Sequence, residues 1–167
     1  MLPLVSLEDG PTLIAFDGSP AAHQAVAAAA KLLQPRKTLV LAVWEAALAH
    51  AAPAPAPAAT ATPVVDPSAG VSVDDSEARR HAERVAGAGA ELARSLGLDA
   101  EPIATVDVRD VAHTIIELAR RHDVATIVVG SRGLSGLRAR LEGSTSKAVV
   151  KHASCPVIVV HDVADHD

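Results

Sequence analysis

Five short apolar runs alternate with stretches of helical spacing, and that alternation constrains the chain more than any other feature. Thr12-Leu13-Ile14-Ala15-Phe16, Thr38 to Trp44, Ala125-Thr126-Ile127-Val128-Val129 and Pro156-Val157-Ile158-Val159-Val160 are runs of the kind that a sheet covered on both faces demands. Leu98 to Val106 is a weaker fifth run, and its Pro102 suits an edge strand. Between them lie helical patterns. Ser19 is a natural N-cap with Pro20 at the first helical position, and Ala22, Val26, Ala29, Ala30 and Leu33 form an apolar face that Pro35 ends. A second helix starts near Asp74 and Asp75 and carries Ala78, Ala82, Val85, Gly89, Leu92 and Leu96 to a stop at Gly97. Val111, Ile115, Ile116, Leu118 and Ala119 mark a third, with Arg120 and Arg121 in its last turn; Ser144 to His152 is a short fourth. The economical architecture is one α/β domain with a parallel sheet and helices on both faces.

One segment falls outside this plan. From Ala46 to about Ser72 the chain is mostly Ala and Pro, too rich in proline for helix or strand, and it reads as a surface insert.

In an open parallel sheet, ligands sit beyond the carboxyl ends of the strands, where strand order reverses. Three pieces end there: Asp17-Gly18-Ser19 after the first strand, Val43-Trp44 at the end of the second, and a glycine-punctuated loop after the fourth. That loop reads Gly130-Ser131-Arg132-Gly133, then nine residues, then Gly143-Ser144-Thr145-Ser146. Glycines let backbone approach a phosphate closely, and a helix start offers unpaired N–H groups at a positive dipole end. Neither a P-loop, which needs Gly-Lys-Ser/Thr, nor a dinucleotide fingerprint after the first strand is present.

Composition narrows the partners. A formal charge of -5, and Phe16 and Trp44 as the only aromatics, provide neither a basic footprint nor a stacking platform, which argues against nucleic acid. The single Cys155 rules out an intrachain disulfide and fits a reducing compartment, so the cytoplasm is expected. The first residues lack the basic and apolar regions of a signal peptide, and no run is long enough to span a membrane.

The glycine loop, the segment Ala15-Phe16-Asp17-Gly18-Ser19-Pro20-Ala21 and the closing Ser154-Cys155-Pro156-Val157-Ile158-Val159-Val160 together resemble the universal stress protein family, over about Thr12 to Val160. The resemblance implies an open five-stranded sheet in the order 3-2-1-4-5 and an adenine-nucleotide site. Asp17, whose residue type at such a turn serves equally well to cap the first helix, would lie by the nucleoside, and backbone around Val43 by the adenine edge. Gly130 and Gly133 would approach ribose and phosphates, and Gly143, Ser144 and Thr145 would hold phosphate. Of the loop cations, Arg132 lies inside the motif and ranks first as a phosphate partner. The implied ligand is ATP, ADP or AMP, with any Mg²⁺ held by the phosphates; the implied assembly is a homodimer paired through residues 156–160. The family commonly carries Gly-x-Pro ahead of the third helix, where this chain has Arg109 and Val111.

Three functions stay open. Phosphate cradling without an evident base favours a nucleotide-binding regulator over a slow ATPase or phosphotransferase. A nucleotide-free interaction module is the third. Among the histidines only His113 forms a neat helical pair, with Glu117, and a solvated face explains it better than a metal. Cys155, before a proline at a buried strand start, reads as an inert thiol.

Overall fold

In a computed structural model, residues 10–33, 36–46, 73–107, 109–131 and 144–161 are described. Most of the Ala/Pro insert lies outside them, as do Arg132, Gly133 and Gly143. The elements are β1 (Thr12–Ala15), α1 (Pro20–Leu32), β2 (Lys37–Glu45), α2 (Val73–Ser95), β3 (Asp99–Asp107), α3 (Val111–Arg121), β4 (Thr126–Gly130), α4 (Ser144–His152) and β5 (Val157–Val160). All pairings are parallel, and the five-stranded sheet runs β3-β2-β1-β4-β5. The expected order and the edge position of the third strand are both found. Pro102 stands mid-strand opposite Val40, tolerated because β3 has a neighbour on one side only.

The period-two alternation of a strand sorts the core into two layers. Ile14, Phe16, Val40 and Val128 face one way and pack on Ala22, Ala25, Val26 and Ala29 of α1 and on Ala90 and Ala93 of α2. Leu13, Ala15, Leu39, Leu41, Ile127 and Val129 face the other way, onto Ala112, Ile115 and Ala119 of α3 and Val149 of α4. Alanines dominate the helical side of the first layer, so those helices lie close to the sheet and the larger sheet residues fill the space. Truncating a fully buried side chain such as Ile127 or Ile14 to alanine costs about 2–5 kcal/mol.

Boundaries differ from expectation by a residue or so, each for a local reason. Phe16 follows the last residue of β1, yet its amide still donates to the Leu41 carbonyl at 2.8 Å. Leu33 is the C-cap of α1 rather than its last residue; its backbone is extended, and its amide reaches the Ala29 carbonyl. β4 runs one residue further than its apolar run because Gly130 pairs with Val160.

Candidate functional site

The chain winds leftward from β1 to β2 and β3, then crosses to β4 on the other side of β1, so strand order reverses between β1 and β4. It is beyond the carboxyl ends of the strands at such a reversal that an open parallel sheet takes its ligands.

After β1 the chain must turn sharply into α1. Asp17 Oδ1 accepts from the Ser19 amide at 2.9 Å, Gly18 takes φ +80°, and Ser19 then caps the helix, its Oγ accepting from the Ala22 amide at 3.2 Å. Asp17 therefore braces the turn, and Ser19 is the N-cap. The positive φ is what glycine supplies at little cost. His23 Nδ1 donates to the Ser19 carbonyl at 2.8 Å, and its ring lies 5.1 Å from that of Phe16.

Gly130 ends β4 directly beside this turn. A Cβ on it would stand 2.9 Å from the Ala21 Cβ and about as near the Ala21 backbone, so glycine is what lets α1 start so close to β4. The next amide, Ser131, donates to the Val160 carbonyl at 2.8 Å and keeps the exit of β4 tied to β5. Val43 stands two residues beyond Leu41, the partner of Ala15, and so lies level with Asp17 on the neighbouring strand. α4 returns to β5 through 153–156 and must run antiparallel to the strands. Its Ser144 end therefore lies at the same sheet edge, with Thr145 half-buried and Ser146 buried.

Asp17, Val43, Gly130 and the Ser144-Thr145 start of α4 are thus gathered at one edge of the sheet. Arg132, Gly133 and Gly143, the rest of the expected set, fall outside the described residues, as does the Ser144 side chain.

The β3–α3 turn is built like the first. Asp107 Oδ1 accepts from the Arg109 amide at 2.9 Å and from the Thr114 hydroxyl at 3.4 Å, and Asp110 caps α3 by accepting from the His113 amide at 2.7 Å. These two carboxylates were not singled out from the sequence, although Asp107 directly follows the apolar run ending at Val106 as Asp17 follows Phe16, and Asp110 takes the capping place that Ser19 has before α1. Glu117 pairs with Arg121 at 3.2 Å, so the His113–Glu117 spacing does not mark a joint site. Cys155 is half-buried, and burial pushes its thiol above the ordinary value, opposed in part by the backbone amides of Cys155 and Ile127. No helix among the described residues is long and apolar enough to cross a membrane.

The profile of the universal stress protein family matches residues 11–161. The chain belongs to the universal stress protein family. Universal stress protein YxiE of Bacillus subtilis is 41% identical over 70 residues, which are 42% of this chain and 46% of that protein. The chain spans less than half the length of this relative and of three others matched by sequence. Solved structures align more fully. Universal stress protein UspA from Lactobacillus plantarum superposes with a TM-score of 0.65 at 24% identity, covering 90% of this chain and 97% of that one. The universal stress protein from Archaeoglobus fulgidus in complex with dAMP gives 0.61 at 18% identity, with 90% and 97% covered. At such identities the likeness concerns the fold, and the fold is the family's.

Proposed function

We propose that this family member binds an adenine nucleotide, ATP in the first instance, in the crevice between β1 and β4, and acts as a nucleotide-dependent regulator of the stress response rather than as an efficient enzyme. The observation that carries the proposal is the convergence of Asp17, Gly130 and the start of α4 on one sheet edge at the point where strand order reverses. The dAMP complex of the Archaeoglobus relative supports the adenine class.

The roles follow from the chemistry of each group. Asp17 keeps one carboxylate oxygen beyond the Oδ1 that holds Ser19, and that oxygen accepts from a ribose hydroxyl. Backbone at Val43 meets the adenine edge. Gly130, with Gly133, Gly143, Ser144, Thr145 and Arg132, forms the phosphate side, where α4 contributes its positive end, about 0.3–1 kcal/mol toward an anion. Any Mg²⁺ travels with the phosphates. An oxygen of Asp17 committed to the turn is a poor general base, which favours holding a nucleotide over cutting it. Val157–Val160, an apolar strand at the open edge, pairs with a second copy across a two-fold axis. The single cysteine supports a cytoplasmic setting.

Titration calorimetry with ATP, ADP and AMP tests the reading, with Trp44 fluorescence as a second signal because the only tryptophan adjoins Val43. Binding by wild type, weakened about tenfold or more in Asp17→Ala, is the expected result. Absence of binding for all three nucleotides up to millimolar concentration overturns it, and turnover by rigorously purified protein would move the function to hydrolysis.

A further inference from the structure

Between α3 and α4, on the outer surface of the second core layer, lies a cleft of about 410 Å³. Small residues line it: Ala112 of α3 and Ala148 of α4, which share the second core layer, and with Ile116 they form an apolar floor. Arg109, His113 and Arg120 stand along one wall and His152 on the other. Among the described residues the only carboxylate in the lining, Asp110, is occupied in capping α3. The chain as a whole carries a formal charge of -5, so this groove runs against the sign of the protein.

Helix-dipole compensation accounts for Arg120 and His152, which sit at the C-terminal ends of their helices. It does not account for Arg109, which stands just before α3, at the end where a cation is disfavoured. Nor do local ion pairs account for it. Among the described residues Lys37, Arg79 and Arg121 pair with Glu101, Glu83 and Glu117, whereas no carboxylate lies within ion-pair distance of Arg109 or Arg120.

We propose that this groove docks an acidic segment of a partner protein, one that carries an aliphatic side chain between carboxylates. The charge pattern selects the ligand. Arg109 stands just before α3 and Arg120 near its end; Val111 to Arg120 alone spans roughly 14 Å at about 1.5 Å per residue, the reach of about four residues of extended chain. Cations at both ends take carboxylates, and the apolar floor at Ala112, Ile116 and Ala148 takes the aliphatic group between them. A small inorganic polyanion would gain nothing from that floor. None of its described lining residues is among those assigned to the nucleotide, so the groove is tested apart from that reading.

The test is fluorescence anisotropy at physiological ionic strength on the full chain, with a labelled peptide of about eight residues holding a Leu-Ile pair between runs of Asp and Glu. Saturable binding is expected, weakened about tenfold or more by Arg109→Glu combined with Arg120→Glu. Both positions are exposed, so the fold survives, as a thermal melt will register. Ala148→Leu, which fills the floor without touching charge, also weakens binding. Lys31→Glu with Arg84→Glu makes the same charge change on the helices of the opposite sheet face and leaves affinity within about twofold. The proposal is overturned if wild type fails to bind the peptide at millimolar concentration. It is equally overturned if the control pair weakens binding as much as the groove pair, or if tripolyphosphate displaces the peptide at equal concentration.

Discussion

The β1–α1 and β3–α3 turns use one device in two places. In each an aspartate accepts the amide two residues on at 2.9 Å, and a cap then accepts the amide three residues further: Ser19 from Ala22, Asp110 from His113. What differs is position in the sheet. The first turn ends a central strand and abuts Gly130 across the crevice; the second ends an edge strand, and its aspartate is buried, 8% exposed, and turned into a second bond with Thr114. Identical local chemistry therefore leads to a candidate ligand site in one case and to a structural brace in the other. Topology, rather than the motif, decides which.

The sharpest way to break this comparison is to separate the first turn from its neighbour. Gly130→Val places a branched side chain against Ala21, including its backbone, which cannot swing aside as a flexible side chain would. A loss of about 3 kcal/mol in denaturant unfolding is expected, with nucleotide binding abolished. An unchanged midpoint would mean that α1 does not need its close approach to β4.

The next largest effect comes from removing the two aspartates in parallel. Asp17→Ala and Asp107→Ala should each cost about 1–2 kcal/mol of stability, because each frees a backbone amide from its carboxylate. Only Asp17→Ala should weaken ATP, by about tenfold or more, equivalent to roughly 1.4 kcal/mol. Equal weakening by Asp107→Ala in calorimetry would erase the distinction between the turns.

Removing the caps probes the shared part of the device. Ser19→Ala and Asp110→Ala each leave one helical amide without its partner, and each should lower stability by about 1 kcal/mol. If the two losses differ severalfold in urea titrations, the turns are less alike than their geometry.

How much of this was legible in the sequence follows the same division. The β1–α1 turn was readable because each of its parts has a local signature: an apolar run, then Asp17-Gly18, then Ser19 before Pro20. The covering of the sheet on both faces was readable from the continuous apolar runs, and the edge placement of β3 from Pro102. Asp107 was passed over because its bond to Thr114 spans seven residues, and that distance closes only when α3 has folded against the end of β3. Glu117 was matched with His113 because a position on a helix has neighbours on both sides, and Arg121, with a longer and always charged side chain, is the partner it takes. The α3–α4 groove was invisible for a stronger reason. Ala112 and Ala148 line one cleft only because α3 and α4 pack on the same face of the sheet, and that placement is a property of strand order that no local window contains.

The smallest effect lies at the opposite end of the sheet, and it tests whether the crevice acts alone. Cys155 precedes β5, whose first residue pairs with Ile127, so its thiol sits on the far side of β4 from Gly130. Burial raises its pKa, so less thiolate is present at neutral pH than for a free cysteine, and alkylation should be slower there. The rate should climb with pH and level off only above the range in which an unperturbed thiol does. Because nucleotide is placed at the carboxyl edge, saturating ATP should leave this pH–rate curve unchanged. A shift of the curve on adding ATP would mean that β4 transmits the binding event along its length, and the difference between the two turns would then extend through the sheet instead of ending at its edge.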